Sequence, residues 1–120
     1  MSYDRNNVFA KILRGEIPCK KVHEDEHTLA FHDIRPQAPV HVLVIPKGEY
    51  ESWDDFHATA SDAELAAFSR AIGMVARQLG IAGDGYRLLS NCGVNGHQEV
   101  PHLHVHIVGG KLLGRMLPKD

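Results

Sequence analysis

The chain of 120 residues has only two cysteines, Cys19 and Cys92, and they form no Cys-x-x-Cys pair. So few cysteines cannot build a disulfide framework and read as reduced, non-catalytic thiols. Neither sign of charge dominates, since 13 Lys and Arg stand against 15 Asp and Glu, a net −2 at pH 7. Apart from Lys20-Lys21 the positive residues are scattered. That excludes a basic field recruiting nucleic acid or an anionic membrane surface. Long apolar runs are missing as well. The longest, residues 42–45, is far too short to cross a bilayer, and the opening Met1-Ser2-Tyr3-Asp4-Arg5 lacks the apolar core of a signal peptide. These absences predict a cytoplasmic protein. No repeat, low-complexity tract or linker interrupts the chain, so a single domain over 1–120 is expected, with its core at about 8–115.

Histidine, in contrast, is abundant at nine residues. Three of them alternate in His102-Leu103-His104-Val105-His106-Ile107-Val108, and alternate residues of a β-strand share a face. The pattern predicts a strand over 102–108 with imidazoles on one side and Leu103, Val105 and Ile107 packed on a core. Histidine can act as base, acid, nucleophile or metal ligand. Alternate positions lie about 6.6 Å apart, so two neighbours could share a zinc ion while three on a straight strand would be stretched. An extended phosphate ester or amide with its leaving group suits the row better; solvated surface histidines are the bland alternative.

Elsewhere the chain predicts an α+β fold. Asn6 or Asn7 can cap a short helix carrying Val8, Phe9, Ile12 and Leu13, stopped by Gly15 and Pro18. Residues 21–24, 28–33, 41–45 and 86–90 read as further strands. Ser61-Asp62-Ala63-Glu64 is a capping box, opening a helix with Leu65, Phe68, Ile72, Val75 and Leu79 on one face and Gly80 at its end. Gly73 inside that helix suggests close packing against the sheet. The loop 91–101 runs directly into the histidine row, and its Gly93 and Gly96 permit a backbone N–H cradle for an anion.

These residues resemble the histidine-triad (HIT) family, and within it the Hint branch. The carriers are the triad with its trailing apolar pair, and Phe31-His32-Asp33-Ile34-Arg35-Pro36-Gln37-Ala38-Pro39-Val40-His41 running into Val42-Leu43-Val44-Ile45-Pro46-Lys47. Asn91, Gln98-Glu99-Val100 and Gly109-Gly110 add to it, in order and spacing. The resemblance implies a five-stranded antiparallel sheet with two helices, joined across a homodimer into a continuous sheet of ten strands. It also implies cleavage of nucleoside 5′-phosphoramidates, such as adenosine 5′-phosphoramidate or AMP-lysine, through a nucleotidyl-histidine.

Residue by residue, the resemblance makes His104 the nucleophile. His106 would contact phosphate oxygens and assist the leaving group, His102 and His41 would orient the nucleophilic ring, and Asn91 would contact phosphate. Asp33 matches the ribose-binding acid, although it also suits a turn-capping role before Pro36. Val8, Phe9, Ile12, Phe31 and Ile34, with His32 beside them, match the nucleotide's base pocket, and Glu99 and Val100 match phosphate contacts through their backbone. Glu99 stands where many animal relatives have Ser, in the Gln-Glu-Val form of bacterial members. Asn7 and Ala10 occupy the positions of a zinc-binding Cys-x-x-Cys in other relatives, so no such zinc is expected, nor any cofactor. The expected partners are a purine nucleotide substrate and a second copy of the chain, with no nucleic acid and no membrane. Leu112, Leu113 and Met116, in a tail running to Asp120, could pack across that dimer or line the leaving-group channel. The rival activities are dinucleoside polyphosphate hydrolysis, nucleotide binding or protein interaction without chemistry, and, more distantly, zinc-dependent catalysis.

Overall fold

A computed structural model describes residues 3–117; Met1, Ser2 and the tail's end at Asp120 lie outside the described residues. Five strands form one antiparallel sheet: β1 (Lys21–Glu24), β2 (Thr28–His32), β3 (Val40–Pro46), β4 (Tyr86–Leu89) and β5 (Val105–Gly109), in the order β1-β2-β3-β5-β4. The apolar sequence of β3 explains its place in the middle. Val42, Val44 and Ile45 are wholly buried and Leu43 nearly so, as expected for a strand covered on both faces.

Alternation along the strands sorts their side chains into two clusters on opposite faces. On one face Ala30, Val42, Val44, Val105 and Ile107 pack against α3 (Asp62–Gln78) through Phe68, Ala71, Ile72, Val75 and Ala76. The Ser61 side chain accepts from Glu64 N–H while the Glu64 carboxylate accepts from Ser61 N–H, so the capping box read from the sequence sets the start of α3. On the other face Leu29, Phe31, Leu43 and Ile45 pack under Phe9 from α1 (Val8–Leu13). Asn7 caps that short helix, its Oδ1 accepting from Ala10 N–H at 2.9 Å.

The structure departs from the sequence reading in three places. The described residues form three helices, not two: α2 (Trp53–Thr59) lies between β3 and α3. It contributes only Phe56 to the core, and its start is held by Asp55, whose carboxylate accepts from Glu51 N–H and Ser52 N–H. Gly73 does not mark a close approach, since a Cβ there would meet nothing within 4 Å. Finally, the histidine strand begins at Val105 rather than at residue 102. Just before it, His102 N–H turns back to Val100 O and Leu103 N–H is taken by Tyr50 O, so this stretch bonds outside the sheet.

Candidate active site

His41 of β3 opposes Val108 of β5, and Leu43 opposes His106. His41 and His106 are therefore diagonal neighbours on one face, within reach of long side chains. Their Nε2 and Nδ1 atoms lie 2.9 Å apart. Gln37, in the turn between Pro36 and Pro39, donates its backbone N–H to His41 Nδ1 at 3.0 Å. The proton of neutral His41 is thereby fixed on Nε2, which donates to His106 Nδ1 and leaves the His106 proton on Nε2.

His104 is fixed in the complementary form. Its Nδ1 lies 2.8 Å from His102 O, an acceptor only, so Nδ1 carries the proton and Nε2 keeps a lone pair. The His104 ring is 5.2 Å from that of His106 and rests edge-on, at 4.9 Å, against Phe9. Its position is further set through its backbone, whose carbonyl accepts from the Ser90 hydroxyl at 2.9 Å. Burial pushes the His104 pKa down, and burial reinforced by the neighbouring His104 and His41 pushes that of His106 down to about 4. The site therefore offers a neutral imidazole lone pair beside an imidazole N–H, a pairing suited to attack on one atom and donation to another.

His102 departs from a row of three equivalent imidazoles. Its ring is completely buried, with Nε2 donating to Pro46 O at 2.8 Å and Nδ1 accepting from the Tyr3 hydroxyl. Burial lowers its pKa to about 4. It contributes its carbonyl to His104 and holds its ring away from any ligand.

Asp33 caps its turn, one of the two roles read for it from the sequence, and also faces the histidine cluster. One oxygen accepts from Arg35 N–H at 2.7 Å, capping the turn, while the other lies 3.5 Å from His41 Nε2. With His32, Ile34 and His41 it lines a cavity of about 730 Å³, floored by Pro18 and Cys19. Ile12 opens instead onto an adjoining cavity of about 480 Å³ that shares Pro18 and Cys19. Phe9 and Phe31 meet edge-on at 5.8 Å in the cluster beneath. Val8 is partly exposed and Ile34 stands 91% exposed, so these two form an outer rim at most.

The loop after β4 is less finished than the histidine cluster. Asn91 is exposed at its start, and its side chain bonds to none of the described residues. Gly93 N–H is taken by Gln98 Oε1, His97 N–H by Val94 O and Gln98 N–H by Gly93 O, so the expected cradle is not formed by the Gly93 amide. Gly96 serves a tight turn, where a Cβ would fall 2.6 Å from Cys92 O. The Gln98 amide group braces the loop by donating to Glu51 O and Val100 O. Val100 packs on the Phe9 cluster, and the Glu99 carboxylate pairs at 3.1 Å with exposed His97, not with the histidine cluster.

Sequence reasoning missed Tyr3, Ser90, Gln98 and the Gln37 amide. Gln98 stood in the Gln98-Glu99-Val100 segment with no role given to its side chain, and the Pro36–Pro39 turn preceding His41 offered the signal for Gln37. Asp33, His41 and His106 bring ligand atoms within 4.8 Å of one another, so this trio could also accept a metal ion. Cys19 is half-buried, with its thiol pKa raised by burial.

Comparison with known proteins gives this cluster its setting. Residues 14–112 match the HIT domain. The chain is 64% identical over 118 residues to a HIT-like protein of Azospirillum brasilense, covering 98% of this chain and 97% of that one. It is 44% identical over 110 residues, 92% of each chain, to the purine nucleoside phosphoramidase of Escherichia coli. Among solved structures, a HIT family hydrolase from Clostridium thermocellum superposes with a TM-score of 0.86 at 44% identity, covering 95% of this chain and 99% of that one. The triad, the order of the sheet and these likenesses agree, and the chain belongs to the HIT domain family.

Proposed function

We propose that this protein is a hydrolase of nucleoside 5′-phosphoramidates, acting through a covalent nucleotidyl-His104 intermediate. The observation that carries the reading is the opposite tautomers of His104 and His106. His104 Nε2 attacks the α-phosphorus and forms the P–N bond to the enzyme. As the substrate's own P–N bond breaks, His106 passes its Nε2 proton to the departing nitrogen, so a neutral amine leaves and the phosphorylated His104 ring carries the balancing positive charge. Water then attacks the same phosphorus and gives a proton back to His106 Nε2, the His104–P bond breaks, and AMP departs with both imidazoles neutral again. Charge on the phosphoryl oxygens is stabilised by ring N–H groups and by the backbone N–H groups of Glu99 and Val100. Neither amide has a partner among the described residues.

Asp33 binds the ribose hydroxyls at the mouth of the cavity it shares with His32 and Ile34, over the Phe9 and Phe31 cluster that supports the base. The purine preference comes from the Escherichia coli relative, since an apolar pocket by itself does not specify the base. No helix among the described residues is long and apolar enough to cross a membrane, and we propose a cytoplasmic enzyme.

The same reading includes a homodimer. Strand β4 is an unpaired sheet edge, and Tyr86, Leu88 and Leu89 on it and Trp53 beside it are each 37–46% exposed. An apolar edge of this kind is suited to pairing with a second copy into ten strands. Leu112 and Met116 are also largely exposed, which favours their use against a partner over use in the chain's own core.

The deciding experiment is AMP release from adenosine 5′-phosphoramidate in EDTA, with His104→Ala alongside. Turnover that survives EDTA and falls at least about 10⁴-fold in the variant, roughly 5.4 kcal/mol of transition-state stabilisation, supports the proposal. A variant that keeps most of the activity removes the nucleophile assignment. Faster cleavage of diadenosine polyphosphates would favour the rival activity.

A further inference from the structure

The N-terminal segment reaches the interior of the triad. Asn7 Nδ2 donates to the Tyr3 hydroxyl oxygen at 2.8 Å, and the Tyr3 hydroxyl donates to His102 Nδ1. His102 Nε2 donates to Pro46 O, and His102 O accepts from His104 Nδ1. Each proton in this series has one direction. His102 Nε2 must carry a proton because a carbonyl only accepts, which leaves Nδ1 as a lone pair needing a donor. Tyr3 supplies it, and Tyr3 is held in turn by Asn7, whose Oδ1 caps α1.

We infer that Tyr3 is a positioning residue for the nucleophile: its hydroxyl seats His102, and the His102 carbonyl then holds His104 with Nε2 unprotonated. The inference rests on the reading above that His104 attacks phosphorus. Loss of the hydroxyl would leave a completely buried acceptor without a partner, which is costly. The ring cannot simply exchange its proton, because Pro46 O needs the one on Nε2. Relief has to come from moving His102, and that movement carries the acceptor of His104 Nδ1–H with it. A His104 ring freed in this way can place its proton on Nε2, where it blocks attack. Packing alone does not perform this task. Phe9 touches both rings edge-on, at 6.4 Å from His102 and 4.9 Å from His104, without fixing a proton on either.

The test compares Tyr3→Phe with wild type in two measurements. One is AMP release from adenosine 5′-phosphoramidate; the other is the ¹⁵N spectrum of the imidazoles. The expected result is kcat lowered about tenfold with KM within about twofold, together with His104 passing from one tautomer to a mixture. Asn7→Ser, which keeps an oxygen to cap α1 and loses the donor to Tyr3, should move both readouts in the same direction. It decides the matter if Tyr3→Phe does not fold. Wild-type kcat in the variants overturns the inference, and so does a lowered kcat with His104 still in a single tautomer, which would be a structural effect only. If the wild-type protein releases no AMP, the phosphoramidate reading fails. The spectra then still decide whether Tyr3 sets the state of His104.

Discussion

His41 donates from Nε2 to His106 Nδ1 across 2.9 Å, and the Gln37 amide at His41 Nδ1 gives this bond its direction. The proton left on His106 Nε2 is the one available to a departing group. His41→Ala removes that control and should lower kcat about 10²-fold for an amine leaving group, within the usual range for general acid catalysis. A nitrophenyl ester of AMP, whose leaving group needs no proton, should lose far less. Comparing the two substrates in one variant checks this, and equal losses would contradict it.

Asp33 lies at the junction of turn and cavity, which makes its removal informative. Asp33→Ala should raise KM about tenfold or more, the cost of one or two charge-assisted hydrogen bonds to ribose. It should also abolish any preference for ribonucleotides over 2′-deoxyribonucleotides. Steady-state kinetics with both sugars measures this, and a preference that persists in the variant argues against ribose binding.

Acid should destabilise the fold through the buried histidines. Burial lowers the pKa of His102 and of His106 to about 4, below the value of 6.5 in the unfolded chain. Between these limits the unfolded state binds more protons, so stability is complete above about pH 6.5 and declines as pH falls towards 4. For fully buried His102 the loss should reach about 3 kcal/mol. Urea unfolding from pH 7 to pH 4 measures it, and His102→Gln should flatten the profile. An unchanged profile in that variant would remove His102 as a cause.

Gly73 is placed to gain from a side chain. It lies within α3, and a Cβ there meets no neighbour within 4 Å. Gly73→Ala should therefore stabilise the protein by about 1 kcal/mol without altering turnover. Thermal unfolding checks the first part, and a lowered Tm would reveal a contact made elsewhere, such as in a dimer.

The edge strand carries a separate expectation. Leu89→Lys places a charge at exposed β4 and should yield a monomer in light scattering where the wild type shows the proposed dimer. A dimer that survives this change would have to assemble through another surface.

The elements legible in the sequence were those with a local signature. Apolar alternation gave the strands, and the Ser61–Glu64 and Asn7 caps gave α3 and α1. Helix α2 has no apolar stripe, and Phe56 is its only buried residue. The spacing of the triad singled out His104 and His106, but it also suggested one continuous strand. The turn of His102 N–H onto Val100 O, followed by Leu103 on Tyr50 O, broke that pattern. Tyr3 and His102 are 99 positions apart, so nothing in local periodicity connects them. The direction of each imidazole proton was equally hidden, because it depends on backbone atoms of Gln37, Pro46 and His102 that carry no residue-specific code.

The two apolar clusters lie on opposite faces of β3, and they differ in what they support. The larger holds α3 to the sheet, while the smaller, around Phe9 and Phe31, lies under the histidine site. Wear on the protein can therefore take two independent forms. Damage to the α3 side removes the molecule as a whole, whereas damage to the Phe9 side can leave a folded protein whose imidazoles have lost their alignment. Selection for catalysis and selection for persistence can act on separate halves of the same sheet.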